Sequence, residues 1–299
     1  MLPSEILDHL RVEKSGDFKL AACDPRDTCG LDIEKAEAKE LLEAGVKRLA
    51  ALQERLYAGD RWAILVVLQG MDTSGKDGVI KHVMSGVNPQ GCEVHAFKAP
   101  SERELDHDFL WRTAVALPER GRIGIFNRSY YEETVVTRVH PELLQRQRIP
   151  DRLLTGNVWK ERWEDINNFE LHLARNGTLP LKFFLNISKE EQLRRLLARI
   201  DDPEKRWKFR VQDVEERKLW DEYREAYEET IRHTATKHAP WYVVPADHKW
   251  FARLVVAAAL VDCMDGLDLK FPKFDDGNLD ELAKVRAELA KELPPGKKT

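Results

Sequence analysis

Hydrophobic and polar positions follow two different rhythms along this chain. Five short apolar runs have the density of strands covered on both faces: Trp62–Leu68, Glu93–Phe97, Ile123–Phe126, Leu181–Ile187 and Trp241–Val244. Segments of helical periodicity separate them. Such alternation predicts a five-stranded parallel sheet, doubly wound and flanked by helices, hence an α/β fold. Upstream, Asp32 is placed to cap a helix running to about residue 57, with Leu42, Val46, Leu49 and Leu56 as its apolar stripe. Residues 1–31 read as an irregular surface arm. Capping boxes at Ser101-x-x-Glu104 and Ser188-x-x-Glu191 mark two further helix starts.

The stretch between the last two runs, 189–237, breaks the rhythm. It is long and charged, with Arg194, Arg195, Arg199, Lys205, Arg206, Lys208 and Arg210, and Asp201-Asp202-Pro203-Glu204 interrupts its helix. This predicts a helical hairpin over the carboxyl edge of the sheet, where open α/β folds bind ligands. Arg199, Lys208 and Arg210 are its candidate lid cations. The interleaved Glu and Asp leave a solvated hairpin as the alternative. Residues 279–299 predict an amphipathic helix and a loose Pro-Gly-Lys-Lys tail without an assigned role. The expected organisation is therefore an arm and helix (1–58), a core with its lid (59–270), and a terminal helix and tail (271–299).

Composition narrows the class. The 299 residues are 42% apolar and 33% charged, enough for one large α/β domain with additions. A formal net charge of −4 and a pI near 6.2 speak against bulk nucleic-acid binding. No segment has the length and apolarity of a membrane span, and Met1-Leu2-Pro3-Ser4-Glu5 lacks the order of a signal peptide. Four cysteines without CxxC spacing read as reduced thiols, and the nine histidines show no metal-ligand spacing. A cytoplasmic location with neither membrane nor nucleic-acid partner is expected.

The chemistry begins where the first run ends. Val66-Val67-Leu68-Gln69 runs straight into Gly70-Met71-Asp72-Thr73-Ser74-Gly75-Lys76-Asp77-Gly78. The spacing of Gly70, Gly75 and Lys76 is that of a P-loop, whose converging backbone N–H groups and helix N-terminus cradle phosphate. Gly70, Thr73, Ser74 and Gly75 are the candidate cradle, and Lys76 is the cation that bridges phosphoryl oxygens. Two residues depart from the common pattern. Asp72 lies inside the loop, where a carboxylate is repulsive unless a metal lies between it and phosphate, so it reads as a Mg²⁺ ligand. Asp77 replaces the hydroxyl residue that usually meets Mg²⁺; it either takes that duty or simply favours the helix start. Lys81, one turn on, faces either the phosphate path or solvent.

A second cluster follows the third run: Phe126-Asn127-Arg128-Ser129-Tyr130-Tyr131-Glu132-Glu133. A P-loop fold commonly delivers an acid at the position of Asn127. Asn can hold a metal-bound water or a phosphate oxygen but is a very poor base. Arg128 can clamp phosphate bidentately, or pair with Glu132 or Glu133. Either glutamate can supply the carboxylate that Asn127 lacks. Tyr130 and Tyr131 suit core packing. Lys98 follows the second run at the same edge and is a candidate polyanion contact. Arg138 belongs to a looser set at helical spacing with Arg112, Lys160, Arg162 and Trp163.

Six ordered blocks carry a specific likeness: 70–78 (GMDTSGKDG), 97–112, 125–133 (IFNRSYYEE), 159–170, 176–192 and 239–254. Over about residues 30–270 the chain resembles the polyphosphate kinase 2 family. The resemblance implies a thymidylate-kinase-like P-loop kinase fold. It also implies Mg²⁺-dependent phosphoryl transfer between inorganic polyphosphate and a nucleotide, with Mn²⁺ able to substitute, in a homo-oligomer. Asp72, Lys76 and Arg128 match the family's catalytic set by position. Asn127 departs from members that carry Asp there. The chain resembles the subgroup that accepts nucleoside mono- as well as diphosphates, taking AMP to ADP and ADP to ATP. Two rivals stand beside this reading: an ATP-dependent nucleoside monophosphate kinase on the same fold, and a nucleotide-sensing P-loop protein without turnover.

Overall fold

The computed structural model describes residues 2–14, 16–273 and 279–292. The chain opens with α1 (Ser4–Leu10), β1 (Arg11–Val12), α2 (Lys35–Gly59), β2 (Ala63–Gln69) and α3 (Lys76–Val83). β3 (Cys92–Ala96), the short helices α4 (Glu102–Leu105) and α5 (Trp111–Ala114), and β4 (Ile123–Asn127) follow. Next come α6 (Glu132–Val139), α7 (Glu142–Gln145), α8 (Val158–Arg175) and β5 (Thr178–Asn186). The last third holds α9 (Lys189–Asp201), α10 (Gln212–Lys218), α11 (Trp220–Thr234), β6 (Trp241–Pro245), α12 (Lys249–Asp265) and α13 (Leu279–Ala290).

Among the described residues the sheet has six strands, in the order β1-β6-β5-β2-β4-β3. Its five longer strands are the five apolar runs, and all of them are parallel. β1 is an addition to the expected sheet. It pairs antiparallel with β6 through Arg11↔Tyr242 and Val12↔Trp241, making the sheet mixed. Two residues are too few to show a period of two, and β1 is a strand because β6 offers it an edge. The arm is thus partly regular, with α1 beside it.

Alternate residues of each central strand feed opposite layers. Ile64, Val66 and Leu68 of β2 join Ile123, Ile125, Phe183 and Leu185 beneath Leu49, Leu52 and Leu56 of α2 and the apolar α12. Leu65 and Val67 face the other way, with Phe126, Phe184 and Val243, against Ile166 of α8 and Tyr227 and Ile231 of α11. The boundary expected near residue 58 therefore separates nothing: α2 shares the core of β2. Nor does Asp32 cap α2, which starts at Lys35 with Glu34 in the N-cap place and no side-chain cap. Ser101 forms a full capping box with Glu104.

The charged stretch is three helices rather than a hairpin. α9 ends at Asp201, at the expected break, and α10 is short. The third helix, α11, buries Trp220, Ala226, Tyr227 and Ile231 and is core, so the stretch expected as a lid is at most about 199–218. The tail after residue 292 lies outside the described residues.

Candidate active site

β2 is the centre of the sheet, flanked by β4 and β5, so the loop at its carboxyl end is surrounded by neighbouring strand ends. The backbone there suits glycine in two places. Gly70 has φ +148°, and a Cβ on it would meet Ser74 Oγ at 2.7 Å and Leu185 O at 2.9 Å. Gly75 has φ +113° and sits where α3 begins. Thr73 also adopts a left-handed conformation, φ +62°. The Thr73 and Ser74 hydroxyl oxygens are buried without a hydrogen-bond partner among the described residues.

Lys76 folds back over this loop. Its ammonium donates to Gly70 O at 2.6 Å and Met71 O at 3.2 Å and is buried. Burial, then the Arg128 guanidinium, push its pKa down to about 8, while Asp72, Glu132 and Asp77 oppose that shift.

The register of the sheet puts Asn127 of β4 opposite Leu68 of β2, one residue from the P-loop strand's end. The Asn127 amide donates to Asp77 Oδ1 at 2.8 Å, so Asp77 and Asn127 form one polar unit across the mouth of the loop. Arg128 follows in a left-handed conformation, φ +65°. That turn aims its guanidinium at Asp72 Oδ1, 2.9 Å away, and at Glu132, 3.5 Å away. Glu132 also accepts from the buried Gln69 at 3.0 Å. Glu132 first, with Asp72 behind it, raises the Arg128 pKa, so the guanidinium is a fixed charge.

The two glutamates part company. Glu132 faces the P-loop. Glu133 is buried with Arg112 at 3.4 Å and Arg162 at 3.5 Å, and it accepts from Thr137 and Gln147. Two guanidinium groups already neutralise Glu133, which argues against the metal role expected of it. Other expectations also move. Arg138 lies over the Trp163 ring, 5.7 Å from its centroid, and 3.6 Å from Glu225, away from the loop carboxylates. Lys81 is exposed on α3. Lys98 is exposed beyond β3, where its carbonyl accepts from Arg112 at 2.7 Å. Tyr130 and Tyr131 are core residues, both donating to the buried Glu170.

Of the lid cations, Lys208 reaches back to the site, 3.7 Å from Asp77. Arg199 is taken up within the lid by Asp213 and the Lys208 carbonyl, each at 3.3 Å. Arg210 is exposed. Asp213 itself was not legible as a site residue. Burial, then the charge of Asp72, raise its pKa, which places a lid carboxylate in the field of the P-loop acid. Tyr227, Gln192 and Arg195 are further residues of the loop's surroundings; Gln192 donates to Asp72 O at 3.2 Å. Their helical spacing was visible, but not the face that meets the loop.

The donor set fits a hydrated Mg²⁺. Asp72 offers a carboxylate that is 30% exposed, and the orphaned Thr73 and Ser74 hydroxyls lie beside it. Mg²⁺ characteristically takes one or two carboxylates and completes its shell with water and substrate phosphates. Consistent with that, the loop acids do not form a closed cage. The one convergent trio of potential ligands among the described residues is His9, Asp27 and Cys29, on the arm.

A P-loop after the central parallel strand, with a lysine, an arginine and carboxylates around it, is built to bind and polarise phosphoryl groups. The family model described as Polyphosphate kinase 2 matches residues 32–272, and the chain belongs to that family. It is 51% identical over 258 residues to the ADP-polyphosphate phosphotransferase of Rhodopseudomonas palustris, covering 86% of this chain and 89% of that one. It is 47% identical over 263 residues to the AMP/ADP-polyphosphate phosphotransferase of Meiothermus ruber, covering 88% and 94%. Among solved structures, polyphosphate kinase 2 from Arthrobacter aurescens superposes with a TM-score of 0.86 at 41% identity, covering 98% of both chains.

Proposed function

We propose that this chain transfers phosphoryl groups between inorganic polyphosphate and nucleoside mono- and diphosphates. The observation that carries the reading is the composition of the P-loop mouth. Lys76, Arg128 and Lys208 are its cations, Asp72 and Asp77 its carboxylates, and Asn127 occupies the acid position. Both substrates are polyanions, and a phosphate oxygen attacks without deprotonation at neutral pH. Catalysis then consists of positioning and of offsetting charge.

Roles follow from placement. The loop amides hold the phosphate being transferred. Lys76 exchanges its two carbonyl acceptors for phosphoryl oxygens. Arg128, oriented by Glu132, spans the line between donor and acceptor. Asp72 would hold Mg²⁺, with Asp77 and Asn127 ordering its water. Bound there, the metal would neutralise phosphoryl charge. Lys208 closes the mouth from the lid.

Dual acceptance is the finer part of the proposal. A carboxylate at position 127 would repel the acceptor's terminal phosphate, whereas an amide does not. The Asn127 nitrogen is given to Asp77, so the removal of charge, rather than a direct bond to phosphate, supports the reading. The names of the two relatives above also span ADP alone and AMP with ADP. We also propose a cytoplasmic site of action and self-association. The four cysteines are free thiols, which fits a reducing compartment. Sedimentation would give the number of copies.

The deciding experiment supplies AMP or ADP with polyphosphate and Mg²⁺, without ATP, and follows products by chromatography. ADP and then ATP appearing from AMP supports the full proposal. Transfer from ADP alone removes the monophosphate. Transfer that requires ATP as donor overturns the proposal in favour of a nucleoside monophosphate kinase.

A further inference from the structure

One buried guanidinium lies outside every role assigned above. Arg195 of α9 is 9% exposed, and all five of its N–H donors are engaged. Nη1 donates to Thr73 O and Ser74 O, each at 3.0 Å. Nη2 donates to Ala246 O at 2.6 Å and Asp247 O at 3.0 Å, in the loop after β6. Nε donates to Glu191 at 2.7 Å. Four carbonyl oxygens from two separate loops thus converge on one cation. Without it their dipoles would repel one another in a site removed from water.

We infer that Arg195 is a positioning residue for phosphoryl transfer, which holds the P-loop backbone from behind so that its amides face the phosphate. In a trans peptide the C=O and N–H point in opposite directions. Binding the Ser74 carbonyl to the rear therefore sends the Gly75 N–H forward. Binding the Thr73 carbonyl fixes the preceding peptide plane, whose Ser74 N–H closes the turn on Met71 O at 3.1 Å. Gln192, three residues earlier on α9, takes Asp72 O at 3.2 Å and is itself held by Arg217 at 2.8 Å. The carbonyls of three successive loop residues, 72 to 74, are thus bound by one helix face. Glu191 serves the same arrangement. It leaves its capping box half-made: Ser188 accepts from the Glu191 N–H, while the Glu191 carboxylate turns to Arg194 and Arg195.

Lysine cannot replace this group, because three donors on a point charge do not match four carbonyls in a planar fork. The inference rests on the proposed reaction for its kinetic test and on geometry alone for its exchange test. In R195K, kcat should fall by about 10²-fold, the loss that a misplacement of about 1 Å brings. KM for polyphosphate and for nucleotide should stay near wild type, since Arg195 touches neither. In R195A, millimolar guanidinium should restore part of kcat, and urea at the same concentration should not. Amide hydrogen exchange should quicken at 70–77 and 246–249 in both variants, while β2 and β5 keep their protection. A wild-type kcat in R195K would overturn the inference. So would an activity loss that follows global unfolding, with strands and loop exchanging together and no guanidinium rescue. If the wild type itself transfers nothing from polyphosphate, the proposed reaction fails, and unchanged loop exchange in R195K would separately overturn the positioning role.

Discussion

Two lysines among the described residues are buried, and they are buried differently. Lys182, in the middle of β5, gives its three donors to Glu170 at 2.7 Å, Thr234 O at 2.7 Å and the Tyr131 hydroxyl at 2.9 Å. Lys76 gives two donors to carbonyls of its own loop, and its carboxylate neighbours act from a distance. Burial lowers both pKa values. At Lys182 an anion in contact opposes the shift. At Lys76 neutral acceptors hold the charge, so a phosphate can outbid them. A saturated buried charge is architecture. A buried charge with replaceable partners is a tool.

Removing each lysine sharpens that contrast. Lys182→Ala strands the fully buried Glu170 and should cost about 3–5 kcal/mol of stability, read by denaturant melts. Lys76→Ala should leave the melt close to wild type and lower kcat by about 10²–10³-fold, the scale for one lost transition-state contact. If both variants lost stability alike, the distinction between them would collapse.

The pH profile tests the same contrast more gently. Lys76 must be charged to work, and its pKa in the free protein is about 8. The profile of kcat/KM should therefore fall as pH rises through about 8. Bound polyanion favours the ammonium, so the alkaline limb of kcat should lie at higher pH. Coincident limbs would mean that phosphate never reaches Lys76.

Neutralising Arg199, Lys208 and Arg210 together is the smallest of these changes. Polyphosphate should bind more weakly and with a flatter dependence on salt, while stability hardly moves. Most of that effect is expected from Lys208, which lies 3.7 Å from Asp77. Equal contributions from all three would contradict it.

The sequence showed what depends on local pattern. The five long strands were visible because buried parallel strands are continuous apolar runs. The P-loop was visible because a tight anion cradle needs glycine at fixed spacing. What it could not show depends on which surfaces meet. Glu132 and Glu133 are adjacent and chemically equal. Only the packing of α6 sends one toward Arg128 and the other toward Arg112 and Arg162. Arg195 read as one more cation in a charged run, because four of its five acceptors come from two loops distant in sequence. α11 read as lid because its charged face dominates its composition, although Trp220, Tyr227 and Ile231 fix it in the core.

The small strand β1 bears on the order of assembly. During synthesis it leaves the ribosome ahead of the other strands, and its partner β6 emerges last of the six. The chain must be made as far as β6 before Arg11 and Val12 can pair with Tyr242 and Trp241. The arm behind β1 waits as well, since the Leu20 N–H is held by Glu228 and the Pro25 carbonyl by Asp247. Such long-range closure is slow in ordinary folding kinetics. The nascent sheet therefore carries an open β6 edge until its amino-terminal segment folds back to cover it, and a chain shortened by those first residues would keep that edge exposed to other chains.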